Sequence, residues 1–163
     1  YSKAGEFIYD RPFLWGSKRT GPDLHREGGA RPDSWHFKHM YNPRSTSAGS
    51  IMPRYPWLIE NTLDRSKTQA KLELMKNTFD VPYTKSQIDS MDSWMNNQAS
   101  AIVKNVFAEA DDVKKSFEES KANKAKSGEE FVPLEKREIT ALIAYLQRLG
   151  TDIKTTEVKT ASN

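Results

Sequence analysis

Apolar side chains recur with helical spacing along the second half of the chain and without any period along the first. Past Asn61 there is no glycine until Gly128, and only Pro82 and Pro133 interrupt. Ser66 followed by Gln69 has the form of a capping box, and Leu72, Met75 and Phe79 then share one face until Val81-Pro82 stops the run. Thr84 with Gln87 opens a further segment, in which Ile88, Met91, Met95, Ala99, Ile102, Val106, Ala110, Val113 and Phe117 recur in steps of three and four. Eleven residues over three turns is about 3.67 per turn, so a single stripe stays in line over the whole run. The spacing predicts one long helix, or two with a break near Asp111-Asp112. Lys121 to Glu130, rich in Lys, Ala, Ser and Gly, reads as a solvated linker. Beyond Pro133, Glu135 and Glu138 put acid into a first turn. Ile139, Leu142, Ile143, Leu146 and Leu149 form an apolar stripe, and Arg148 with Gly150 makes a helix exit. A final amphipathic helix is predicted there, and a polar, fraying tail after Thr151.

The first sixty residues hold six of the eight prolines and six of the eight glycines, so regular structure is confined to short helical pieces. The same stretch carries three of the four tryptophans, Trp15, Trp35 and Trp57, together with Phe7, Tyr9, Phe13, Phe37, Tyr41 and Tyr55. Disordered linkers are poor in such side chains. Irregular backbone with large aromatics implies a loop wrapped around something it buries.

Composition narrows the function classes. The chain has 163 residues, 29% of them charged and 36% from the hydrophobic set, which suits one soluble domain. No window approaches the roughly 18 to 20 apolar residues of a spanning helix, and the first residues do not have the pattern of a signal peptide. The absence of cysteine excludes disulfides, thiolate metal sites and cysteine nucleophiles within this sequence. With a formal charge of +3 and no Lys/Arg run longer than two, nucleic acid is not an expected partner. His36 and His39 stand three apart, a spacing that can place two imidazoles on one helix face. A metal site needs three or four ligands, so the pair is read as surface or hydrogen-bonded. Met75, Met91 and Met95 read as core, Gly28-Gly29 as a turn, and the charged pairs Asp111-Asp112, Lys114-Lys115 and Glu118-Glu119 as a solvated face. No Ser-His-acid or paired-carboxylate pattern is recognisable, and no catalytic residue is assigned.

Four blocks taken in order resemble one family. They are Trp15-Gly16-Ser17-Lys18-Arg19-Thr20-Gly21-Pro22-Asp23-Leu24; Trp35-His36-Phe37-Lys38-His39 with Asn42-Pro43-Arg44; Ser50-Ile51-Met52-Pro53-Arg54-Tyr55-Pro56-Trp57-Leu58; and Ala141 to Thr151. Together they resemble the monohaem cytochrome c subunit (subunit II, the O subunit) of cbb-type haem-copper oxidases. The last block is similar more broadly to the final helix of class I cytochromes c. The resemblance covers roughly residues 1–63 and 133–152. It implies an all-α, cytochrome c-like fold of class I with a long irregular first part and an inserted long helix. Its division would be a haem-cradling loop region at 1–63, an inserted helical region and linker at 64–130, the cytochrome c helix at 131–152 and a flexible tail at 153–163.

By the same resemblance, Met52 is the distal ligand of haem iron, a soft thioether that with His raises the reduction potential. Pro22 would offer its carbonyl to the ring N–H of the proximal His, fixing the imidazole tautomer. Arg19 would meet a haem propionate, and Trp15, Leu24, Tyr55 and Trp57 would line the pocket. The implied role is electron transfer, without a catalytic site of its own, from a donor cytochrome or another haem subunit to the oxygen-reducing subunit, on the periplasmic side of a Gram-negative inner membrane. The alternative is a non-redox docking module of the same complex. The family attaches its haem c through Cys-x-x-Cys-His, which follows an amino-terminal membrane helix, and neither occurs here. The expectation is therefore a haem-free fragment lacking that anchor. Its final helix would be covered by the inserted helix or by a second copy in a homodimer.

Overall fold

The computed structural model describes residues 21–151. Over that span the chain is all-α, and its one piece of sheet-like pairing is an isolated antiparallel bridge between Thr62 and Arg137.

The irregular half behaves as its prolines dictate. Helix α1, Asp33–Tyr41, starts behind Pro32 with an acid in its first turn. It ends at Asn42, which lies extended because a proline follows. Pro43 then opens the single turn α2, Pro43–Thr46, and Pro56 precedes a second single turn, α3, Trp57–Glu60.

In the helical half, α4 spans Thr68–Phe79. The Ser66/Gln69 capping box does not form, because the Ser66 N–H is donated to Asp64 Oδ1 at 2.9 Å and the helix starts behind Lys67. The Thr84/Gln87 box does form, at the head of α5, Lys85–Asp89. The long stripe is cut twice. Ser90, whose hydroxyl bonds back to the Ser86 carbonyl at 2.7 Å, separates α5 from α6, Met91–Glu109. Ala110 separates α6 from α7, Asp111–Ser127, within a residue of the anticipated break. The linker expected from Lys121 is instead the continuation of α7, since Lys and Ala, which make up five of residues 121–127, are strong helix formers. The helix stops only at Gly128, whose φ of 73° gives a left-handed cap. The last helix, α8, covers Glu138–Arg148 after a 3-10 turn at Leu134–Lys136.

The core draws on both halves. Phe37 of α1 meets Ile102, Val103 and Val106 of α6, then Ala110, Val113, Leu134 and the Ile139/Ile143 pair of α8. Ile139 and Ile143 are fully enclosed, while Leu142, Leu146 and Leu149 are only half-buried. The face of α8 is thus covered within the chain, by α6, α1 and α3. Arg137 sews the halves together. Its guanidinium donates to the carbonyls of Ile59 (2.6 Å) and Glu60 (3.1 Å) at the end of α3, and to that of Val132 (2.7 Å). Burial lowers its pKa from the usual arginine value. Beside it the Leu63 N–H donates to the Lys136 carbonyl at 2.8 Å. Among the described residues no helix is long and apolar enough to cross a membrane.

Candidate functional site

The loop after α2 carries Met52, and α1 and α2 hold it on both sides. Arg44 Nε donates to the Ser50 carbonyl at 3.3 Å, and the Met52 N–H donates to Ser50 Oγ at 3.2 Å. At the far end the Tyr55 N–H donates to the Met40 carbonyl, and Arg54 Nε to the Tyr41 carbonyl, both at 3.0 Å. The Arg54 guanidinium also lies 5.1 Å from the Tyr41 ring centre. Between these anchors Ile51 is 88% exposed and Met52 half-buried. Tyr55 and Trp57 meet edge to face at 5.2 Å, and Trp57 remains 48% exposed.

Pro22 and Leu24 belong to a separate segment. Pro22 is exposed, and Leu24, 52% exposed, opens a 3-10 turn that runs to Arg26. The segment docks on the end of α8 through Gly28, whose N–H donates to the Leu149 carbonyl at 2.9 Å. No hydrogen bond or ring contact links Met52 to Pro22 or Leu24 among the described residues. Trp15 and Arg19 lie outside the described residues.

The two α1 histidines have different fates. His39 stacks on Trp35 at 4.4 Å, and its Nδ1 lies 2.6 Å from Thr46 Oγ1. His36 is buried, with Nε2 lacking a hydrogen bond and standing 3.8 Å from Glu27 Oε1. Burial lowers the pKa of both imidazoles, against the pull of Glu27. Next to them is a buried polar knot that the sequence did not signal. Asp33 accepts from Gln147 Nε2 (2.7 Å) and Asn105 Nδ2 (2.9 Å), tying α1 to α8 and α6. Ser34 Oγ donates to Glu109 Oε2 at 2.5 Å. The only hint was the Pro32-Asp33-Ser34 helix start. No group of three or more His, Cys, Asp or Glu is placed to hold a metal among the described residues.

A cavity of about 180 Å³ lies between α6 and α8, floored by Ala99, Ala141 and Ala144. A cleft of about 510 Å³ runs between α1 and α7, walled by Phe37, Tyr41 and Phe117 and edged by the exposed Lys38–Asp112 ion pair at 3.0 Å. Neither is lined by Met52, Pro22, Leu24, Tyr55 or Trp57.

Among curated proteins, none matches the chain. A family model described as cytochrome c oxidase, mono-heme subunit/FixO, matches residues 1–153. Since that match takes in the Met52 loop, the helical middle and the last helix alike, the chain belongs to the mono-haem subunit (FixO) family of cytochrome c oxidase.

Proposed function

We propose that this chain contributes the methionine side of a c-type haem site and relays electrons, one at a time, toward the oxygen-reducing subunit of a cbb-type oxidase. Family membership makes it a mono-haem oxidase subunit with a part in electron transfer. The finer reading rests on the anchored Met52 loop. A thioether held between two fixed ends, in a segment that leaves Ile51 and Trp57 uncovered, suits the flat apolar face and soft axial position of an iron porphyrin.

The donor set fits one half of such a site. Met52 offers the sulfur, whereas His36 is enclosed in the interior and His39 is engaged with Trp35 and Thr46. None of the 163 residues is a cysteine that could form the thioether links. A bound haem c supplies one-electron chemistry. This chain's own part in the proposal is to present Met52, to exclude water with Tyr55 and Trp57, and to offer Pro22, Leu24, Trp15 and Arg19 on the attachment side. Residues 1–63 and 131–152 would form the haem-bearing unit, with 64–130 inserted and 153–163 as a tail. The partners would be the catalytic subunit, another haem subunit and a donor cytochrome, on the periplasmic side of the inner membrane.

The test is Met52→His in the oxidase that contains this chain, read by potentiometric titration of its haem c. The expected outcome is retained haem with a potential lower by some tenths of a volt, within the ~0.8 V range over which axial ligands act. An unchanged potential would remove Met52 from the iron and leave the docking role.

A further inference from the structure

Helix α4 is an amphipathic helix with little to pack on. None of its residues is buried, and it leans chiefly on α5, which is five residues long. Met75 is 45% exposed and Phe79 63% exposed, and Tyr83, 37% exposed, follows the helix end. A helix of twelve residues is marginal in water by itself, so a second surface would stabilise it.

Its charges say which surface. At about 100° per residue, Leu72, Met75 and Phe79 fall within about 60° of one another, with Lys71 on one flank and Lys76 on the other. Glu73 and Asn77 fall on the opposite side, and Leu74 stands outside the stripe. Residues 64–85 hold five cations (Arg65, Lys67, Lys71, Lys76, Lys85) against three acids, Asp64, Glu73 and Asp80, of which Asp64 interacts electrostatically with Lys71. Protein interfaces are depleted of lysine, whereas here lysine borders the stripe on both sides. Lipid headgroups favour the arrangement found here, in which apolar side chains enter the acyl boundary while flanking lysines reach phosphate along their own alkyl stems. From this geometry we infer that α4 and the turn after it form an arm that lies on an anionic lipid surface. This contact does not depend on haem or on Met52.

The test is sedimentation of the 163-residue chain with vesicles of phosphatidylcholine alone and of phosphatidylcholine mixed equally with phosphatidylglycerol. Binding is expected to the mixed vesicles, weakening as salt rises. It should drop roughly fivefold for each of Lys71→Gln and Lys76→Gln, and about tenfold or more for Phe79→Ser. Glu73→Gln, on the far face, should bind at least as well as the parent. Circular dichroism in buffer should show the same helix content in all four variants, since none of these side chains is buried. Equal affinity for both vesicle types, no binding to either, or a loss with Glu73→Gln as large as with Phe79→Ser would overturn the proposal. So would vesicles being ignored while another oxidase subunit binds the chain in a Phe79-dependent way, which would make the face a protein contact.

Discussion

Gly28 sits where the first segment meets the end of α8, and a single added methyl there has nowhere to go. A Cβ would run into the Leu149 carbonyl and come within 2.7 Å of the Gln147 carbonyl, both parts of the backbone that cannot turn aside. Gly28→Ala should therefore cost about 1–3 kcal/mol through overpacking. Thermal unfolding should drop by several degrees, at roughly 2–4 °C per kcal/mol for a chain of this size. Gly21, with nothing within 4 Å of its own Cβ position, is the control, and Gly21→Ala should stay within about 0.5 kcal/mol of the parent. Equal melting of the two variants would mean that the docking of Gly28 on Leu149 does not matter to the fold. The sequence shows Gly28-Gly29 only as a turn, because a close approach to residues more than a hundred positions away leaves no local mark.

Helix ends separate two kinds of signal. The Thr84 box forms in full: the Gln87 N–H donates to Thr84 Oγ1 at 3.2 Å and the Thr84 N–H to Gln87 Oε1 at 2.8 Å, with the Ser86 hydroxyl also 3.1 Å from Thr84 Oγ1. Ser66 has the same spacing to Gln69, yet Asp64 takes its N–H first. Thr84→Ala should destabilise α5 by about 1 kcal/mol, seen as roughly fivefold faster hydrogen exchange of the Gln87 N–H. Unchanged exchange would show that buried Ile88 alone holds the turn in place. Composition alone does not fix the extent of α7: lysine and alanine are common to linkers and to helices, and Asp111 and Asp112 at one end with Lys124 and Lys126 at the other complement its dipole.

At the scale of the whole molecule, stability is tied to a neutral imidazole. His36 is packed near Asp33 and His39 of its own helix and Glu27 and Arg31 of the segment before it, and its pKa is lowered chiefly by burial. The unfolded chain takes up that proton near pH 6.5, so below this the unfolded state holds more protons than the folded one. The contribution of His36 to stability is thus complete above that range and is lost as pH falls through it. His39, lowered in the same direction, adds to the loss. The denaturant midpoint should fall between about pH 7.5 and about pH 5.5, and His36→Gln should flatten the slope. A midpoint that is level across this window in the parent would show that the buried imidazole is not linked to folding.

The sequence by itself determined the irregular proline-broken half, the final amphipathic helix, the apolar stripe from Ile88 to Phe117 and the family, because each is written in local spacing or in ordered blocks of residues; that the stripe is cut at both Ser90 and Ala110 came from the structure. The sequence also placed Met52, Tyr55 and Trp57 in one short segment, as neighbours in sequence must be. Only the tertiary structure decided that Ile139 and Ile143, more than the leucines beside them, are the enclosed seam of α8. The same holds for Arg137 as the clasp between the halves, for Asp33 bonding to both Asn105 and Gln147, and for the outward face left on α4. Periodicity marks which side of a helix is apolar; which part of that side another helix covers depends on where the chain returns, and that is a property of the assembled core.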